Sequence, residues 1–480
     1  MKNSKEIPYS LDPANPAGVE SIHQVTLEVL AETGVLVESK EAVDLLVDAG
    51  ATDCGQGLVR IPPSLVAWAL TKAPSTLTMY TRDGQEVMLL KPGNVYLGTG
   101  SDCPNVIDIK TGRRRPAVKN DIAELTRLTD ALPEIDFVLS MGLASDARSI
   151  SADLYHFQAM VANTTKPIFY TVTEPENLPI IIEMAEAIVG GKSILAQKPF
   201  IAHFAMPSPP LRHTSNALTN LIHCARNNMP VVYASGTQMG LSGPMSVDGS
   251  TLSSNCDVLS GLIIHQLANP GAPFIYGVCI APFDMKTSIE AYGAPEHYLG
   301  DALNMQMARH YNLPSWGYAG STDSKTLDMQ AAIEYLGSTM AGMMSGCNLL
   351  HDVGYLESGM SASKESILFG NEVIAFARRI LQKVDVNRET LSAEAIKQRG
   401  PGGSFLMDDY TIRQMREFWY SPLIDRKRYD AWIQSGRTTM LDRIIDRVKH
   451  VMATHWPTPL DPAIAAEIER MVAVREQMIG

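Results

Sequence analysis

The chain has 480 residues, 45% hydrophobic and 19% charged, which is enough apolar material for a large buried core in one big domain or two ordinary ones. Its formal net charge of −12 argues against nucleic acid as a partner, because a phosphate-binding patch would work against the overall field. The opening residues MKNSKEIPYSLDPANPAG lack the apolar stretch of a signal peptide, and no uncharged apolar run of about 18 residues occurs. The expectation is therefore a cytoplasmic protein with no membrane span.

Residues 18–34 carry Val19, Ile22, Val25 and Val29 at helical spacing and stop at Gly34, a typical residue just past a helix end. A second helix is predicted over 40–49. From 59 to 96, short runs such as SLVAWALTKAP, TLTMYTRDG and EVMLL alternate with turn residues and read as a small mixed cap. VYLGTGS (95–101) reads as a first strand.

Beyond about residue 120 the pattern settles into apolar runs separated by helical stretches. The runs are FVLSMGLAS (137–145), PIFYTVT (167–173), PFIAHFAM (199–206), PVVYASG (230–236), PFIYGVC (273–279), LPSWGYAG (313–320) and NLLHDVGY (348–355). Helices are predicted at 151–163, 177–190, 212–227, 251–268, 295–310 and 328–345. Strands that are apolar along their whole length and alternate with amphipathic helices imply parallel βα units covered on both faces. Together with the first strand they predict a (β/α)8 TIM barrel over 119–385, with an N-terminal α/β cap over 1–118 and a C-terminal helical extension over 386–480. A doubly wound open sheet is the runner-up, but no strand is followed by a GxGxxG turn. The late helices, beginning with ESILFGNEVIAFARRILQKV (365–384), would clasp the barrel or form a homo-oligomer surface.

In a barrel, the C-terminal strand ends and the loops after them build the site. That rule nominates Arg148, Tyr170, His203, Phe204, Gln238, Tyr276, Trp316, Tyr318, Gly320, Asp323, His351, Asp352 and Tyr355. Tyr96, Arg148, Tyr170, Phe204, Tyr276, Trp316, Tyr318 and Tyr355 are the substrate-binding candidates, and His351, Asp323 and Gly320 the catalytic ones. Aromatic faces attract quaternary ammonium groups by about 0.5–2 kcal/mol each. The competing reading is that these rings only fill the barrel and that His351 is a satisfied core histidine. Gly317 and Gly320 are read as leaving room for a ligand, the alternative being an ordinary loop with Asp328 capping the next helix. The single cysteines, including Cys279, form no CxxC pair, and His203, Cys279 and His351 lack the paired spacing of a zinc site. No phosphate loop, GxSxG elbow or HExxH helix is present.

One ordered series of segments resembles the trimethylamine methyltransferase family over nearly the whole chain. It comprises IHQVTLEVLAETGV, DAGATDCGQGLVRIPPSLVAWALTKAPSTLTMYTRDG, VIDIKTGRRRPAVKNDIAELTRLTDALPEID, LIIHQLANPGAPFIYG, STDSKTLDMQAAIEYL, NLLHDVGYLESGMSASKE and RGPGGSFL. The series departs from the family at DDYT (408–411), where a histidine is expected before the threonine.

The resemblance implies a TIM-barrel enzyme that passes a methyl group from an amine to the cobalt of a small corrinoid protein. Cobalamin would be carried by that partner, with no metal in this chain. The founding enzymes use pyrrolysine. This sequence has only the standard twenty residues, so it resembles the other branch, whose substrates are quaternary amines such as glycine betaine, proline betaine and carnitine. The pyrrolysine position is expected near Gly320. A quaternary nitrogen already carries the charge that makes it a leaving group, so neither a proton donor nor a Lewis acid is required. Arg148, His351 or a loop amide would receive a substrate carboxylate. The rival readings are a zinc-dependent corrinoid methyltransferase for methanol or thiols and a non-catalytic betaine-binding protein.

Overall fold

Prolines mark one edge of the central sheet in the computed structural model, which describes residues 5–479. Pro167, Pro230, Pro273 and Pro314 each stand directly before a strand, and their carbonyls accept from the N–H groups of Val138, His203, Val231 and Tyr276. At a strand's first position the missing proline N–H costs the ladder nothing.

The sheet strands are β1 (Tyr96–Thr99), β2 (Ile168–Thr171), β3 (Ile201–Ala205), β4 (Val231–Met239), β5 (Phe274–Asp284), β6 (Ser315–Tyr318) and β7 (Leu349–Val353). They pair in parallel in the order β1-β7-β6-β5-β4-β3-β2. Residues 137 and 138 lie between the two ends of this curled sheet, where Phe137 bridges Gly98 and Val138 bridges Ile168, both in parallel sense. The strand expected over 137–145 thus shrinks to two bridged residues. At Leu139 both backbone groups bond the Thr99 hydroxyl instead of a backbone partner, and Ser140 accepts from the Asp102 N–H.

Helices α1 (Lys119–Asp130), α2 (Ala152–Asn163), α3 (Asn177–Val189), α4 (Ser215–Arg226), α5 (Val247–Ala268), α6 (Pro295–His310), α7 (Met329–Ser345) and α8 (Lys364–Ile380) follow the sheet segments in turn. Asp328 caps α7 through the Ala331 N–H. α5 is buried almost all round, because the Pro16–Glu32 and Pro63–Lys72 helices pack over it. The latter covers SLVAWALTK, one of the short runs of the expected mixed cap. A leading proline and buried Leu65, Val66 and Ala69 set helical spacing there.

The proline edge of the sheet is plugged. A hairpin of Leu77–Tyr80 and Glu86–Leu90 inserts Met79, Met88 and Leu90 against Tyr96, Phe137, Phe169, Val232, Ile275 and Leu349. At the C-terminal end of the chain, Met440–Thr454 packs on α8 and α1, and Pro462–Ile479 packs on α3 and α2. The run TIRQMREFWY is α-helical only through Asp409–Gln414 and a following single turn. At the DDYT departure, the Tyr410 hydroxyl donates to the Thr390 carbonyl on the protein exterior.

Candidate active site

Opposite the plug, the C-terminal strand ends surround a cavity of about 430 Å³, within the range of small-ligand pockets. Its wall comes from β3 (Phe204), β4 (Ala234, Gly236, Gln238), β5 (Val278, Cys279), β6 (Trp316) and β7 (His351, Asp352). Ser101, Met206, Pro209, Ser242, Glu290, Tyr292 and Tyr355 complete it from loops and flanking segments. A larger groove of about 700 Å³ lies between the Asn105–Pro116 hairpin and the Met440–Thr454 helix, but no strand of the parallel sheet reaches it.

Adjacent residues of a regular strand point to opposite faces. His351 and Asp352 nevertheless share the cavity, because the pairing of β7 with β1 shifts register between Leu350 and Val353. Such a bulge re-aims side chains. Asp352 adopts φ +79, a conformation a non-glycine residue rarely holds, and the neighbouring Gly354 at φ +107 carries the chain onward.

The aromatic wall has two parts. Trp316 lies 4.6 Å from the His351 ring and 5.4 Å from Phe204, centroid to centroid. In the second, Tyr292 and Tyr355 stack at 6.5 Å with 30° between their planes. The Tyr355 ring fits because Gly100 has no side chain: a Cβ there would come within 2.1 Å of the ring. The Tyr355 hydroxyl accepts from the Ser101 N–H at 2.7 Å.

Polar groups in the wall are acidic or neutral. Gln238 Nε2 donates to Glu290 Oε2 at 3.0 Å. Burial raises the Glu290 carboxyl above its usual range, and burial followed by Asp301 and Glu290 raises Asp352 well above its own. Burial also lowers His351 to about 4, against the opposing effect of its contact with the Gly317 carbonyl, so the imidazole is neutral at pH 7. His351 Nε2 lies 3.0 Å from Asp352 Oδ1, yet Oδ1 makes no well-aligned hydrogen bond. The indole N–H of Trp316 has no acceptor among the described residues. Among the described residues, no lysine or arginine lines the cavity. With π faces and carboxyls and no cationic side chain, it suits a positively charged organic ligand.

Phe204, Gln238, Trp316, His351, Asp352 and Tyr355 are thus the sequence candidates that the fold brings together. The others lie elsewhere. Tyr96 is at the plugged end, where its hydroxyl accepts from the Leu89 N–H. Tyr170 and Tyr276 project toward the helices, Tyr170 against Phe157 and Tyr276 donating to Asn255 Oδ1 at 2.9 Å. Arg148 is half-exposed beside Glu476. Tyr318 stacks on His297 at 3.4 Å, behind Tyr292, whose carbonyl accepts from the Tyr318 hydroxyl. Asp323 accepts from the Ser358 hydroxyl in the loop after β6 and does not line the cavity. The spaces beside Gly317 and Gly320 hold the Asp301 carboxyl and Val353, not a ligand.

His203 also faces away from the cavity, its Nδ1 donating to the Tyr170 carbonyl, so it is not grouped with Cys279 and His351. No group of three or more His, Cys, Asp or Glu side chains is placed to hold a metal ion among the described residues.

Glu290 and Tyr292 were not nominated from sequence. They arrive because β5 runs on to Asp284 and turns back through Ile289–Glu290, antiparallel to its own end. The only sequence signal for this is the long stretch between PFIYGVC and the next helix.

A family model described as trimethylamine methyltransferase (MTTB) matches residues 2–480. The chain is 31% identical to the trimethylamine methyltransferase MttB of Desulfitobacterium hafniense (strain DSM 10664 / DCB-2), covering 96% of this chain and 93% of the relative. It is 28% identical to the glycine betaine methyltransferase of Desulfitobacterium hafniense (strain Y51), covering 96% of each. Among solved structures, the hydroxylamine complex of MtmB matches in fold with a TM-score of 0.51 at 11% identity, over 94% of this chain and 89% of that one. The Methanosarcina barkeri monomethylamine methyltransferase (MtmB) matches with a TM-score of 0.50 at 11% identity, with the same coverage of 94% and 89%.

Proposed function

Since this chain belongs to the trimethylamine methyltransferase family, we propose that it takes a methyl group from a quaternary amine and delivers it to the Co(I) of a separate corrinoid protein. The observation that carries this reading is the cavity wall of aromatic rings and carboxyls without a cationic side chain among the described residues. We read the scaffold as a (β/α)8 barrel with residues 137–138 in the eighth strand position, the N-terminal 1–118 as its cap and 386–480 as an outer extension.

The chemistry asks little acid–base work of the protein. The cobalt electron pair forms the new bond to the methyl carbon, and the C–N pair leaves with a neutral tertiary amine, so no proton is transferred. His351 is neutral at pH 7 and is not required as an acid. Trp316, Phe204, Tyr292 and Tyr355 would hold the ammonium group. The enclosing rings exclude water and fix one methyl toward the open mouth where the corrinoid protein docks, so the rate gain comes from orientation. The corrinoid is a second substrate in this reading.

The test is an anaerobic assay of the pure protein with cob(I)alamin, repeated with a reduced corrinoid protein from the same organism, following the Co(I) absorbance while quaternary amines are offered one at a time. Decay of the Co(I) band with a quaternary amine, together with release of the tertiary amine, is the expected result. Decay with trimethylamine alone, or with no donor in either format, overturns the proposal. Binding of the amine without decay in either format would assign the protein to a non-catalytic role.

A further inference from the structure

The wall that suits a cation is ill suited to an anion, and this narrows the substrate. We propose that the cavity takes a quaternary ammonium whose other substituents are uncharged, a choline-like alcohol or a simple tetraalkylammonium, and discriminates against betaines, which carry a carboxylate on the same small skeleton. The inference rests on the function proposed above and specifies its substrate class.

A betaine brings its carboxylate within a few bonds of the ammonium, so both must find partners in the same cavity. A buried carboxylate needs a cationic or multiply hydrogen-bonded partner to offset its desolvation. The arginine considered for that role from sequence, Arg148, stands outside the cavity beside Glu476. Arg114, on the Asn105–Pro116 hairpin, does not line the cavity and is within 3.1 Å of Glu357. His351 has one ring nitrogen on the Gly317 carbonyl and the other facing Asp352, which leaves no N–H for a ligand anion.

What the wall does offer is carboxyls that a bound ammonium favours in the ionised form, and these repel a second anion beside it. Glu290 and Asp352 both face the space, and Glu290 receives one side-chain donor, Gln238. Asp352 is buried and its Oδ1 has no aligned donor, an acceptor left open on the wall of a cation-sized space. The neutral donors that remain, such as the Ser242 hydroxyl and the unpaired Trp316 N–H, match a hydroxyl oxygen. A site that leaves its own carboxyls unpaired against one ligand and paired against another separates the two strongly.

The experiment is titration calorimetry of the full chain with choline, tetramethylammonium and glycine betaine, paired with the Co(I) assay on the same three compounds. Choline or tetramethylammonium is expected to bind at least about tenfold tighter than glycine betaine, and to be the one demethylated. Glu290→Gln is expected to weaken choline binding several-fold and to narrow the gap to glycine betaine, with Asp352→Asn as the second variant should the first fail to fold. If glycine betaine binds as tightly as choline, or is the one demethylated, the substrate inference falls while the methyltransferase reading stands. If none of the three binds, the substrate inference falls, and the Co(I) assay with the other quaternary amines decides the methyltransferase reading.

Discussion

His351 and Asp352 face each other across a β-bulge, with Nε2 of the histidine 3.0 Å from Oδ1 of the aspartate and its Nδ1 2.8 Å from the Gly317 carbonyl. Burial disfavours the ionised form of both, lowering the histidine to about 4 and raising the aspartate. A cation arriving beside the pair would favour ionised Asp352 without demanding a charged histidine. Asp352→Asn keeps the shape and removes the ionisable group. It is expected to leave the melting temperature within a few degrees of wild type and to weaken quaternary-amine binding by about tenfold, or about 1.4 kcal/mol. Thermal denaturation and calorimetry on one preparation check both halves.

The aromatic wall makes a separable prediction. Tyr292→Leu retains apolar bulk but removes a π face, and should cost the cation about 0.5–2 kcal/mol of binding. Tyr276→Phe should do the reverse. It strips the donor from buried Asn255 Oδ1 and is expected to lower stability by about 1–3 kcal/mol with unchanged affinity, because Tyr276 points at the helices. Equal affinity losses in the two variants would contradict the placement of these rings.

Gly100 is a steric test of the same wall. Its missing side chain admits the Tyr355 ring, and an added methyl would fall 2.1 Å from a ring atom. Gly100→Ala should expel the ring, cost about 1–3 kcal/mol in stability and reduce amine affinity together with it. Gly84 sits on a turn with nothing within 4 Å of a built Cβ but at φ +80, so Gly84→Ala serves as a strain-only control that should leave affinity intact.

Asp257, fully buried on α5, gives a pH prediction independent of the site. It accepts from the Leu211 N–H and the Ser235 hydroxyl, yet burial pushes its carboxyl up to about 7. The unfolded chain releases this proton near pH ~4. The folded chain keeps it until about 7, so its contribution to stability is full below the unfolded value and is lost as pH rises through that interval. Asp257→Asn should flatten the fall in stability between those limits, where the wild-type slope from this residue reaches about 1.4 kcal/mol per pH unit. Denaturant midpoints at pH 5 and pH 7 for both proteins decide it.

The βα rhythm was legible because proline-led apolar runs and amphipathic helices have lengths and periods that local chemistry sets. Helix α6, expected at 295–310, spans Pro295–His310, and Asp328 caps α7 at the position its side chain suggested. The candidate site was legible only in part. Phe204, Trp316, His351 and Tyr355 follow from their places at or just beyond strand ends, but the same rule also chose Tyr170 and Tyr276, which face the other way.

That failure has a physical cause. The parallel strands are covered on both sides, so their inward and outward residues are equally apolar and hydrophobicity does not reveal the phase of the alternation. Only the assembled sheet decides that Trp316 points in and Tyr276 out. Only a bulge, which no single strand's sequence specifies, turns His351 and Asp352 to the same side. Glu290 and Tyr292 reach the cavity because β5 folds back on its own end, a pairing made across a turn and stabilised in three dimensions. The sequence by itself determined the succession of strands and helices, through period, length and proline placement, and the family through its ordered segments. The charge and shape of the cavity were decided by tertiary structure, because they depend on which face each side chain takes and on which distant segments close over it.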